Sequence, residues 1–210
     1  MDSPSNNRHL DADNEIVFEW SSGIEEVLRK EGEEAESLFW GHQRSAIVST
    51  RYNDWIAIPS IIIQTITGFF SASTGLIPPM ALGAFSMFTA ILSTLLSYFK
   101  FSARSEAHRM VALIYLKIYK KLQIELSLPH EQRISPLALL EEIREKLSRA
   151  AEIAPDIPQN VVEEYKLKFK DGEAKKPIIF NGLDVIKVFK KAPAIEATPA
   201  TPKPMIRIIP

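Results

Sequence analysis

Between Asp54 and Lys100 the chain runs for 45 residues, Trp55 to Phe99, without one Asp, Glu, Lys, Arg or His. As a single helix this run would rise about 68 Å, over twice the roughly 30 Å hydrocarbon core that about 20 apolar helical residues cross. It therefore reads as two crossings joined by a turn. The middle supplies the turn, because Ser73-Thr74-Gly75-Leu76-Ile77-Pro78-Pro79 combines a residue free to take positive φ with two that donate no backbone hydrogen bond. The crossings are predicted at about Trp55 to Ser71 and about Met80 to Phe99. A buried helical hairpin in a soluble protein is the competing reading. Soluble core helices usually keep a polar stripe, however, and uncharged runs of 18 or more residues favour the membrane.

Averages conceal this segregation: the 210 residues are 46% hydrophobic and 24% charged, with a formal net charge of -1. That near-neutral balance, with no basic stretch interleaved with aromatics, argues against nucleic acid as a partner. Cysteine is absent, which excludes disulfides, thiolate catalysis and cysteine metal sites. The opening MDSPSNNRHLDADNEIVFEW lacks the basic start and apolar core of a signal peptide, so no cleaved segment is expected. Arg44 and Arg51 precede the first crossing, Lys100, Arg104, Arg109 and Lys117 follow the second, and the connector is uncharged. The positive-inside bias then places both flanks and both termini on the cytosolic side, or in a virion interior. No Asn begins an N-x-S/T sequon, in keeping with a chain that exposes almost nothing to a lumen.

Taken in order, residues 1–20 read as a flexible tail rich in Ser, Asn and Asp. Ser22 followed by Glu25 predicts a capping box opening a long amphipathic helix over 21–54. Its apolar stripe would be Ile24, Val27, Leu28, Ala35, Leu38, Phe39, Ala46 and Ile47. Glu31, Glu33, Glu34 and Glu36 form its solvated face. Pro59 marks either a helix start or a kink in the first crossing. After Lys100 the second crossing is predicted to continue as a stalk to about Leu126, with Met110, Leu113, Ile114, Ile118 and Leu122 apolar. Ser135 and Pro136 form an N-cap and first-turn pair for a helix to about Glu152, with Leu140, Ile143, Leu147 and Ala150 on one face. Pro155-Asp156-Ile157-Pro158 stops it, and Pro158 starts a short helix carrying Val161, Val162 and Tyr165. Residues 165–170 also alternate like a strand, but Pro177 spoils a partner strand, and helix is preferred. Residues 100–170 thus make a helical stalk and bundle, and 171–210 a Pro- and Lys-rich tail that reads as a solvated linker, with anionic lipid as the alternative resting place for its lysines.

The predicted architecture is all-α: a two-transmembrane helical hairpin with cytosolic amphipathic helices and flexible termini. Gln64 is the one strongly polar side chain in the apolar run, so it should face a partner helix or water, with Thr65 and Thr67 near it. Thr67, Ser71 and Gly75 stand four apart, as do Ser86, Ala90 and Thr94 in the second crossing. Such small-residue stripes let helix backbones approach. Phosphate loops and nucleophile elbows are missing, and His130-Glu131 lacks the second histidine of a zinc-binding helix. No enzyme activity, catalytic residue, metal or cofactor is expected. His42 and His108 read as helix-packing histidines, with pH sensing a further role open to them because imidazole titrates near 6.5.

The succession of segments resembles the SLATT superfamily, the SMODS- and SLOG-associating two-transmembrane effector proteins, in the form associated with protists and large DNA viruses. The resemblance rests on Leu38-Phe39-Trp40-Gly41-His42 through Tyr52-Asn53, on Ile58-Pro59-Ser60-Ile61-Ile62 with Thr67-Gly68, and on the stalk from His108 through Tyr115 to Leu122 and Arg133. Pro155-Asp156-Ile157-Pro158, Val161 and Tyr165 complete it, over about residues 36–166. It implies a membrane hairpin with a cytosolic helical portion, in a superfamily whose members are proposed to form oligomeric pores in defence or cell death. The chain carries no fused nucleotide-sensing domain, which leaves its trigger open. Three functional readings stand at this point. They are a self-associating two-pass membrane protein around a pore, a structural or adaptor protein whose hairpin anchors helices that bind a cytosolic partner, and a membrane-shaping hairpin. Membrane lipid is the partner common to all three, and a homo-oligomer is expected from the first.

Overall fold

The computed structural model describes residues 19–72, 77–170 and 176–181. The expectations for the tail at 1–18, for the turn residues 73–76 including Gly75, and for the lysine-bearing stretches at 171–175 and 182–210 lie outside the described residues. The fold is all-α: α1 (Ser22–Ala72), α2 (Pro79–Phe99), α3 (Phe101–Ser127), α4 (Pro136–Ile153), α5 (Gln159–Lys168) and α6 (Ile178–Asn181), with a single 3-10 turn at His130–Gln132. The alternating stretch after Tyr165 is helical to Lys168. No strand occurs among the described residues.

The amphipathic helix and the first crossing are one rod, since α1 runs 51 residues, about 76 Å, and continues through Pro59. Pro59 therefore neither begins a helix nor ends one; the rod forgoes only the bond from its missing N–H to the Trp55 carbonyl. The cap also differs from expectation. Ser21 rather than Ser22 accepts from the Ile24 N–H, at 3.4 Å, and Glu25 turns outward to Arg133 and His130 instead of back to the cap. The second crossing and stalk are interrupted where one helix was predicted. Lys100 takes a left-handed conformation, φ 49° and ψ 41°, although its N–H still bonds the Leu96 carbonyl at 3.0 Å and its carbonyl accepts from Arg104 at 2.9 Å.

α1 packs antiparallel against α2 and α3 in succession. Gly32 lies against Leu122, His42 meets His108, Thr50 meets Ser105 and Gln64 meets Ser93, so the partners descend as α1 ascends. The α3 face in this contact is Ser105, His108, Val111, Ala112, Tyr115, Ile118 and Leu122. Met110 and Leu113, predicted as apolar-face residues, are instead about half exposed, as are Val27 and Ile47 on α1. The shift has a physical origin: α1 buries His42 among small and polar residues, and α3 turns His108 towards it and Ser105 towards Thr50 and the Ala46 carbonyl.

α4 closes the far end of the pair. Ser135 caps it by accepting from the Ala138 N–H at 3.2 Å with Pro136 in the first turn, and Leu139, Ile143 and Ala150 join Leu28, Ile118 and Leu122 in one core. Leu140 and Leu147, expected on the buried face, pack at its margin. Arg133, its side chain only 8% exposed, locks the turn: it donates to the Leu128 carbonyl at 2.7 Å and the Leu126 carbonyl at 3.1 Å, pairs with Glu25, and lies over the Trp20 ring. Pro155 and Pro158 carry α5 back across α1, and the Pro158 carbonyl accepts from Val161 and Val162. A second core forms from Ile157, Val161, Val162, Tyr165 and Phe180. Phe180 belongs to α6, inside the stretch read as a tail; its ring stacks on Tyr165 at 4.0 Å, a single-residue anchor that leaves no periodic signal.

Two helical stretches, within Ser22–Ala72 and Pro79–Ser127, are long and apolar enough to cross a membrane, and only 6% of each apolar window is buried in the molecule. A soluble-core hairpin would bury most of such a window. The chain therefore has the form of a two-pass membrane hairpin continued by a helical bundle.

Two glycines of α1 should answer alanine oppositely. A Cβ at Gly41 would sit 2.7 Å from Phe180 and 2.9 Å from Ile157, whereas at Gly32 it would meet Leu122 at an ordinary 3.5 Å. Gly41→Ala is expected to cost about 1–3 kcal/mol by overpacking the second core. Gly32→Ala should be neutral or stabilising by up to about 1 kcal/mol, because a helix-interior glycine is removed. Thermal unfolding of both variants in detergent micelles checks the contrast.

Candidate functional site

Two polar loci punctuate the α1 contact. The first lies within the crossings. The Gln64 amide Nε2 donates to Ser60 Oγ at 3.1 Å, one turn earlier on α1, and to Ser93 Oγ across the hairpin at 3.4 Å. Ser60 is buried, as is Thr89 on the facing helix, whose hydroxyl donates to the Ser86 carbonyl at 3.0 Å. Gln64 itself is exposed, and no group among the described residues donates to its Oε1. The amide is thus half satisfied within one chain.

The predicted small-residue stripes divide differently from expectation. Thr67 is half-buried and Ser71 exposed, while Ser86, Ala90 and Thr94 are exposed on α2. Thr94 returns its hydroxyl to the Ala90 carbonyl at 2.8 Å. Ser93 bonds Gln64 across the hairpin, and Leu82, Thr89 and Leu96, among the less exposed residues of α2, stand at a spacing of seven that is legible once sought. Ser93 escaped the sequence reading, and Ser60 entered it only within the 58–62 stretch, because a serine among aliphatic residues carries no period of its own. Gly68 stands open, with nothing within 4 Å of a Cβ placed there.

The second locus is in the bundle. His42 and His108 are 2% and 0% exposed, and their Nδ1 atoms lie 3.0 Å apart. Tyr115 stacks on His42, with ring centroids 5.6 Å apart and planes inclined by 15°. Three positions widely separated in sequence therefore meet in one cluster. His108 Nε2 is buried without a partner. A bare lone pair there is cheaper than an orphaned N–H, so we assign the proton of His108 to Nδ1, which donates to His42 Nδ1. Above the pair, Thr50 donates to Ser105 Oγ at 2.7 Å and Ser105 donates to the Ala46 carbonyl at 3.0 Å. Below it, Tyr165 donates to Ser37 Oγ at 2.8 Å and Ser37 to the Glu33 carbonyl at 3.0 Å. These bonds lie on two faces of α1, Ser37 towards α5 and Thr50 towards α3.

Burial pushes His42 down from 6.5 to about 4, with the neighbouring His108 adding to the effect. Burial also lowers His108, assisted by Arg104, and raises the Tyr115 hydroxyl, assisted by Glu34. Protonating both rings would turn two N–H donors towards each other and abolish the bond between them. The remaining motif positions are structural or peripheral. Asn53 donates to Asp54 at 3.4 Å, Pro59 and Gly68 are exposed on α1, and Arg133, Pro155 and Pro158 hold the turns described above.

Comparisons with family models, curated proteins and solved structures find no match.

Because the folded histidines bind protons less readily than the unfolded chain, the stability their burial contributes is complete above about 6.5 and is lost as pH falls towards 4. Acidification through that window should loosen α1 from α3, measured as faster amide exchange around residues 42 and 108. His42→Ala should cost about 1–3 kcal/mol at neutral pH by stranding His108. His42→Phe combined with His108→Leu should keep neutral-pH stability within about 1 kcal/mol while flattening the acid dependence, since both polar groups leave together.

Proposed function

We propose that this chain is a non-enzymatic two-pass integral membrane protein, SLATT-like, that self-associates through the exposed faces of its hairpin and lines a polar path with Gln64. The observation that carries this reading is the unanswered Gln64 Oε1 on the exposed side of two apolar helices. A polar group held in hydrocarbon without a partner costs several kcal/mol. A second copy or enclosed water removes that cost. Two crossings cannot enclose a pore, so any conduction belongs to an assembly of several copies. The open small-residue positions, Gly68, Ser71, Ser86, Ala90 and Thr94, are where neighbouring copies would approach. In this reading both termini and the bundle lie on the cytosolic side or in a virion interior, on the flanking-charge argument, and the role is membrane perturbation in conflict between genomes or between cell and virus.

A second reading, a membrane anchor for a cytosolic protein partner, is favoured by a separate observation. Met110 and Leu113 are exposed by 53% and 51% and adjoin on one ridge of α3, which Lys117 continues. Such a ridge suits a helix from another protein.

Currents in planar bilayers containing the purified protein separate the two. Wild type is expected to give discrete openings, and Gln64→Leu at matched protein density should abolish them or change their conductance severalfold. A strictly monomeric protein in the bilayer overturns the self-association reading. Silence from both proteins with intact insertion favours the anchor.

A further inference from the structure

An open groove of about 550 Å3 runs along one face of α1 where the charged bundle gives way to the apolar crossings. Its walls are Ile47, Thr50, Arg51, Asp54, Trp55, Ile58 and Pro59 from α1, with Arg109 reaching in from α3. From Ile47 to Pro59 the rod climbs about 18 Å. The order along that climb is graded. Arg51, Asp54 and Arg109 occupy the end nearer the bundle, whereas Trp55, Ile58 and Pro59 belong to the charge-free run. Neither arginine has a hydrogen-bond or ion-pair partner among the described residues, although Arg44, one turn before Ile47, pairs with Glu164 at 2.7 Å. The two guanidinium groups are thus uncommitted at the one depth where an amphipathic molecule would place its charge.

We propose that this groove binds a single anionic phospholipid of the phosphatidylserine type, with its headgroup at Arg51, Arg109 and Asp54 and an acyl chain along Trp55, Ile58 and Pro59. The proposal rests on the membrane reading given above. Charge complementarity selects the occupant. Phosphatidylserine carries two anionic groups and one ammonium, and the groove offers two guanidinium groups and one carboxylate. Arginine binds phosphate and carboxylate oxygens through paired N–H donors, and basic pockets beside membrane helices hold anionic headgroups. Asp54, which would repel a simple phosphate, has a role only if the headgroup brings a cation. Trp55, at 76% exposure, has the amphipathic ring that settles at the headgroup level. The groove volume falls within the range of small-molecule sites, and its apolar half distinguishes a lipid from a soluble phosphate.

The test uses the full-length protein. Flotation with phosphatidylcholine vesicles first checks insertion; failure there removes the membrane reading and this inference together. Given insertion, native mass spectrometry from detergent micelles, with phosphatidylserine, phosphatidylglycerol or phosphatidylcholine titrated in, reads the lipid retained per chain. Phosphatidylserine should be retained at least about tenfold more strongly than phosphatidylcholine and above phosphatidylglycerol. Arg51→Gln with Arg109→Gln should remove about tenfold of that preference, whereas Lys100→Gln with Arg104→Gln, at the same membrane face, should leave it within about threefold. Equal loss in the two double variants would mean diffuse attraction by juxtamembrane charge and would overturn the site. So would equal retention of the three lipids, or of acyl-free glycerophosphoserine, in a protein that floats normally.

Discussion

The antiparallel register of α1 against α2 and α3 is the constraint from which the remaining structure follows. It is held by unusual contact residues for so long a pair: Gly32, Ser45, Ser49, Ser60, Thr89, Ser105 and a histidine pair in place of a continuous leucine seam. Small side chains bring the backbones close, and closeness obliges each buried polar group to find a nearby partner. His42 to His108, Thr50 to Ser105 and Gln64 to Ser93 meet that obligation, each at a fixed height along the rod. An axial slip of one turn would strand all of them together. The register is therefore specified by polar pairing more sharply than apolar contact alone would specify it.

Because α1 is uninterrupted, the bundle and the crossings share one rigid member. Its counterpart is broken at Lys100, whose left-handed conformation is unfavourable for a residue with a Cβ by about 1–2 kcal/mol. The articulation thus sits on the α2–α3 side, just where the chain passes from apolar to charged sequence. Loosening at the histidine pair would alter how α3 lies on the rod without breaking the rod, and the Lys100 joint is where α2 can adjust. The groove holding Arg51 and Arg109 spans the same level, from one helix on each side of the contact. The histidine pair, the groove and the Lys100 joint thus follow one another along the same stretch of the molecule.

Much of the fold was legible from the charge-free run, the two prolines after Gly75, the Ser135–Pro136 start and the Pro155–Pro158 stop, since each acts through the local backbone. The candidate sites were legible only in part. His42, His108 and Tyr115 stood out as residues, but their meeting depends on a register spanning some 66 positions, which no local pattern encodes. Ser86, Ala90 and Thr94 drew attention by their spacing and are exposed on α2. Small residues four apart define a face without saying what the face meets.

What the sequence by itself determined is the number of helices long and apolar enough to cross a membrane, the all-α class and several of the places where helices start and stop, because solvation and backbone chemistry are properties of each stretch alone. Tertiary structure decided which stripe of each helix is buried, that α1 continues through Pro59, that Phe180 joins the second core, and that Gln64 is answered on one side only. Those outcomes depend on pair contacts between segments remote in sequence. Only docking of α3 and α5 on the rod sets which polar group meets which.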